Sequence, residues 1–191
     1  MKEYKFKKFG GEFIDDVGAY LREYLTKNPN ISIYVGCDSV NRRNHTMYAV
    51  AICMYDTVRK DGVHYIFARK KSKKERVIFT RMWKEVEKSV EVSEYLEKEL
   101  DGYIKRHTPE DLVNMRDENL EFYSANQDKL VIIDVDINSD RGGGHNKSNV
   151  AFEAARSYTT GLGYRTRFKG NKVGASPFAA NSAADLIAKR A

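Results

Sequence analysis

Five acidic side chains stand at positions where an acid is expensive. Asp38 closes the apolar run "ISIYVGC" and is followed at once by Ser39. A carboxylate at the end of a buried strand is costly unless it is paired or holds a metal. In "VIIDVDIN", strand alternation puts Asp134 and Asp136 on one face and Val131, Ile133 and Val135 on the other. Two acids near the C-terminal end of a strand sit where α/β sheets place ligands. A divalent cation relieves their repulsion, and hard ions such as Mg²⁺ take carboxylate oxygens. At 100° per residue, Ile78, Met82, Val86, Ser89, Ser93 and Leu96 form one helical arc with Glu85 at its edge. Glu85 is then either a sheet-facing acid or a surface partner of Arg81. Asp185 lies in "AANSAADLIA", whose small residues let a helix lie close on a sheet, with Asn181 one turn before it.

The elements that must position these acids can be read from periodicity. Residues 14–27 predict a short amphipathic helix, and 31–37, 47–55 and 64–70 predict strands joined by short polar connections, hence an antiparallel meander. A long helix is expected over about 76–104, a weaker helical stretch in "PEDLVNMRDENLEFY", and a strand in "KLVIIDVDIN". "NKSNVAFEAARSYTTGLG" reads as a helix closed by glycines and "YRTRFKG" as a strand. "SPFAANSAADLIAKRA" ends the chain as a helix with Ser176 as N-cap and Pro177 in the first turn. A meander leading into crossover-linked strands makes an α/β chain with a mixed sheet covered by helices.

Composition narrows the setting. With 191 residues, 41% hydrophobic and 31% charged, the chain is expected to form one globular domain, residues 1–191. Its apolar runs are too short to span a membrane, and "MKEYKFKKFGGEFIDDVG" is too broken by charge to be a signal peptide. Cys37 and Cys53 both fall in predicted strands and read as buried hydrophobes, and a reducing cytoplasm fits them. The formal charge of +6 suits a polyanionic partner. Six of the basic residues, Arg69, Lys70, Lys71, Lys73, Lys74 and Arg76, crowd into "ARKKSKKER", read as a basic loop for a phosphate backbone. "YRTRFKGNK" is a second basic stretch with interleaved aromatics.

With "IYVGCDSV", "RMWKEVEKS", "DVDIN" with "KSN", and "ASPFAANSAADLIAKR" in this order, the chain resembles the ribonuclease H-like superfamily, most closely its YkuK branch. The resemblance covers roughly 33–189. It implies a five-stranded mixed sheet, a meander of three strands plus two parallel ones, flanked by helices. Residues 1–29 would form an N-terminal helical extension, and about 105–129 an inserted helical segment. It also implies that Asp38, Glu85, Asp136 and Asp185 are the catalytic and metal-binding acids, with Asp38 bridging both ions. Asp134 has no settled place in that pattern. Asp134, Asn181, His145 and Lys147 are candidates for a supporting layer.

That arrangement would suit phosphodiester hydrolysis with two Mg²⁺ or Mn²⁺ ions about 4 Å apart, one activating water and one stabilising the leaving oxygen. The expected substrate is RNA, RNA–DNA hybrid or branched DNA. Beside the site, "SDRGGGHNKS" is either a phosphate-contacting loop, with His145 or Lys147 near the scissile group, or a plain flexible connection. Two rivals differ in class. A haloacid dehalogenase-like phosphatase would make Asp134 the nucleophile, but only 55 residues follow Asp136, too few for its remaining motifs. A catalytically silent nucleic-acid-binding module would keep the fold and basic surface without turnover.

Overall fold

The computed structural model describes residues 4–56, 63–104, 120–123, 129–138, 151–169 and 179–190. Their elements run β1 (Lys7–Lys8), α1 (Val17–Lys27), β2 (Ile31–Asn41), β3 (His45–Asp56), β4 (Val63–Lys73) and α2 (Ile78–Glu99). Then follow β5 (Leu120–Tyr123), β6 (Ile132–Asn138), α3 (Phe152–Gly161), β7 (Arg165–Lys169) and α4 (Ala179–Lys189). Among the described residues, no helix is long and apolar enough to cross a membrane.

The seven described strands join one sheet in the order β1-β4-β3-β2-β6-β7-β5. The expected five-stranded core is its centre: β2, β3 and β4 form the antiparallel meander, and β6 and β7 continue parallel to β2. Two short strands lengthen it, β1 against β4 and β5 against β7. Leu120–Tyr123, expected to close a helical insertion, is therefore a strand. Pairing to β7 decides this, because an edge offers unpaired backbone groups to any segment beside it. The rest of that stretch, 105–119 and 124–128, lies outside the described residues, as does Ser176.

Strand alternation divides the side chains between two layers. Ile31, Ile33, Val35 and Cys37 of β2 point into a core with Leu21 and Leu25 of α1 and Val92 and Leu96 of α2. Ile133, Val135 and Ile137 of β6 meet Met82, Val86 and Val90 of α2 and Phe152 of α3 on that same face. Leu96 is completely buried, which at the usual transfer scale contributes about 1.5–3 kcal/mol. The helical arc also buries Ser89 and Ser93, whose hydroxyls donate to the Glu85 and Ser89 carbonyls at 3.0 and 2.8 Å. Glu97, further along the arc, accepts the Leu130 and Val131 amides, both at 2.7 Å, and so anchors the entry to β6.

The opposite face carries α4. Ala183, Ala184 and Ala188 close onto Ala49 and Ala51 of β3, small residue against small residue. Arg42 donates to the Ala188 and Lys189 carbonyls at 3.2 and 2.7 Å, satisfying C-terminal acceptors of α4.

Most of the expected basic loop is strand, and only Lys74 and Arg76 follow it in irregular backbone. Arg69, Lys70, Lys71 and Lys73 belong to β4, which pairs with β3 as far as His45↔Lys73. The ladder hydrogen bonds hold this charged stretch in a strand that composition alone ends at Lys70. Alternation then splits its charges. Lys70 lies over the Tyr4 ring on the α1–α2 face, while Arg69, Lys71 and Lys73 are exposed on the α4 face.

Candidate acidic site between the first and fourth core strands

β2 and β6 run side by side as Tyr34↔Ile132, Val35↔Ile133 and Gly36↔Asp134, and their ladder stops there. Asp38 and Asp136 are each two residues further on, on adjacent strands, where the parting of the ladder opens the sheet. Their alternation sets both toward α4, the face that holds Tyr34, Ile132 and Ala180. From α4, the Asp185 carboxyl comes near enough to Asp38 to oppose its ionisation. Glu85 arrives from the opposite face, on α2, and there accepts the Ser39 hydroxyl at 2.5 Å. The structure thus gathers the four expected acids around one strand end, Asp185 from one layer and Glu85 from the other.

Crowding shows in their protonation. Burial pushes the Asp38 carboxyl up to about 7, with Asp185 and Asp136 adding to the rise and the Ser39 amide opposing it at 2.7 Å. Burial also pushes Glu85 up to about 8, reinforced by Asp38 and Asp136 and opposed by Ser39 and Arg81. Acids raised in this way, with oxygen donors only, fit a hard divalent cation, whose charge would offset their repulsion. Among the described residues, no three Asp, Glu, His or Cys side chains already form a ligand cage. Ser39 holds Glu85, and Lys189 donates to Asp185 at 2.6 Å.

Both carboxyls are raised in the folded chain above their ordinary values of 3.8 and 4.5. The folded state therefore keeps protons that the unfolded state has lost, and this stabilisation fades as pH climbs through about 7 to 8. In EDTA the melting temperature should fall between pH 5.5 and 8.5, and Mg²⁺ or Mn²⁺ should raise it more at the upper end. A metal-induced gain independent of pH would contradict the assignment.

Asp134 does something else. It is 2% exposed and paired bidentately with Arg167, Nε to Oδ1 at 2.7 Å and Nη2 to Oδ2 at 2.8 Å. The guanidinium in turn lies 4.1 Å from the Tyr34 ring centre. Burial pushes the Asp134 carboxyl up while Arg167 opposes that rise. Asp134 thus ties β6 to β7 beneath the site. His145 and Lys147 lie outside the described residues, as does the side chain of Asn181. Burial also raises the Cys37 and Cys53 thiols, which suits small buried hydrophobes rather than nucleophiles.

Sequence reasoning passed over Ser39 and Arg167. The signal for Ser39 was its place beside Asp38, which by alternation turns it toward the helix that carries Glu85. A partner that orients a ligating carboxylate is typically worth about 10–100-fold in metal affinity. Ser39→Ala should weaken Mn²⁺ binding by about that factor in a calorimetric titration; unchanged affinity would show that Glu85 needs no such support.

A strand order of this kind, with acids from two core strands and two helices at its centre, defines a ribonuclease H-like architecture. A family model described as ribonuclease H-like matches residues 12–184, and the chain belongs to that family. No curated protein and no solved structure matches it.

Proposed function

We propose that the protein is a metal-dependent nuclease that hydrolyses phosphodiester bonds in RNA, RNA–DNA hybrid or branched DNA, with nucleic acid as its partner in the cytoplasm. The convergence of Asp38, Glu85, Asp136 and Asp185 at the strand ends carries this reading. Mg²⁺ or Mn²⁺, when bound, supplies Lewis acidity for activating water and for stabilising a leaving oxygen. The chain's own residues supply the rest. Asp38 and Asp136 offer oxygens from adjacent strands, Ser39 orients Glu85, and Asp185 closes the set from α4. Arg69, Lys71 and Lys73 lie on the α4 face, two strands from Asp38, where they would attract a phosphate backbone.

A second reading, a catalytically silent nucleic-acid-binding module, draws on the fact that the described carboxylates are not yet set as a cage. A panel of labelled RNA, hybrid and branched DNA substrates with Mg²⁺ or Mn²⁺ decides between them. The nuclease reading expects metal-dependent cleavage of at least one substrate class that EDTA abolishes. Binding without cleavage across the whole panel would favour the module.

A further inference from the structure

The N-terminal segment "YKFKKFGGEF" alternates aromatic and basic residues, and β1 sorts them. Tyr4 and Phe6 enter the main core, while Lys7 is set opposite Phe67 on the α4 face. The chain turns at Gly11, whose φ of 95° favours glycine, and returns through a bridge between Lys7 and Phe13. Lys5, Lys7, Gly11, Phe13, Phe67 and Arg69 together line a groove of about 320 Å³. That is the lower end of small-ligand pockets, which run to about 300–1,000 Å³.

The chemistry of this groove has one sign. No acid lines it, and Lys5, Lys7 and Arg69 make no ion pair among the described residues. Among the described residues, the acid nearest in sequence, Glu12, is engaged by Lys8 at 2.9 Å. Phe13 is 56% exposed, and Lys7 lies 4.1 Å from its ring centre. Phe9, 57% exposed, borders the same hairpin with Arg190 over its ring at 5.6 Å. Exposed rings beside unpaired cations are the features that bind single strands, stacking bases on the rings and holding phosphates by charge. Exposed Lys71 and Lys73 continue the basic line along β4.

Register connects the groove to the acids. Asp38 pairs with Ala49, and Ala49 with Arg69, in one cross-strand row. Two interstrand steps separate Asp38 from Arg69, about 10 Å. A strand lying in the groove would extend across α4 toward the acidic site.

We propose that this groove is a single-stranded nucleic-acid subsite, with phosphates on Lys5, Lys7 and Arg69 and a base stacked on Phe13. It rests on nucleic acid being the partner, though not on cleavage. The test measures binding of a labelled single-stranded oligonucleotide and of a blunt duplex to the full chain in EDTA. Phe13→Ala should weaken single-strand binding about tenfold and leave the duplex unaffected. Joint replacement of Lys5, Lys7 and Arg69 by Gln should lower the slope of log affinity against log salt by about 2 for the single strand. Wild-type affinity and slope in both variants would overturn the subsite while leaving the nuclease reading intact. So would equal competition by polyglutamate with no effect of Phe13→Ala, which would mark a plain anion patch. If the wild type binds neither oligonucleotide, both readings fall together.

Discussion

Asp38→Asn should abolish metal-dependent cleavage, by more than about 100-fold, while leaving the fold intact. Removing a group that merely supports a ligand costs about 10–100-fold, so removing the charge of the central ligand should cost more. Asn keeps the shape of the side chain, and Asp38 already sits where burial opposes its charge. The variant should therefore be at least as stable as wild type in EDTA, and it should bind nucleic acid at least as well, since a negative charge has gone. Asp101→Asn, at an exposed acid just past α2, is the matched control and should cleave normally. Equal cleavage by wild type and Asp38→Asn would show that the activity comes from elsewhere.

Asp134→Asn should behave in the opposite way, with a large loss of stability. It leaves Arg167, only 7% exposed, as a buried charge without its carboxylate partner. Breaking a buried pair from one side typically costs about 3–5 kcal/mol. For a domain of this size that corresponds to a drop in melting temperature on the order of 10 °C. Replacing both partners, Asp134→Leu with Arg167→Met, should recover much of it, because no unpaired charge is then left behind. A single variant that melts with the wild type would mean that water reaches Arg167 and shields it. The contrast separates two acids on adjacent strands, Asp38 of β2 and Asp134 of β6. Asp38→Asn is expected to spare the fold and cost cleavage, and Asp134→Asn to cost the fold.

The shared face of Asp134 and Asp136 was legible in "DVD", because alternation depends only on the strand. Their different roles were not. Arg167 lies 33 residues beyond Asp134, and only the β6–β7 register sets it opposite. Asp38 could be read as a site residue because burying an acid at the end of an apolar run is costly without a partner or a cation. Glu85, at the edge of its helical arc, needed the structure to show that Ser39 rather than Arg81 takes its carboxylate in a hydrogen bond. β1 and β5, two and four residues long, are too short to carry a period and form on the edges of strands already made. The lysines of β4 misled for a physical reason. Local charge argues for a solvated loop, whereas pairing with β3 supplies a ladder for the backbone up to Lys73.

Anomalous diffraction from crystals soaked in Mn²⁺ tests the central claim most directly, since it locates the ion without assuming any activity. Peaks are expected at the parting of β2 and β6, with Asp38 touching two ions and Glu85, Asp136 and Asp185 completing their coordination. Peaks confined to other surface acids, with none beside Asp38 and Asp136, would contradict that claim.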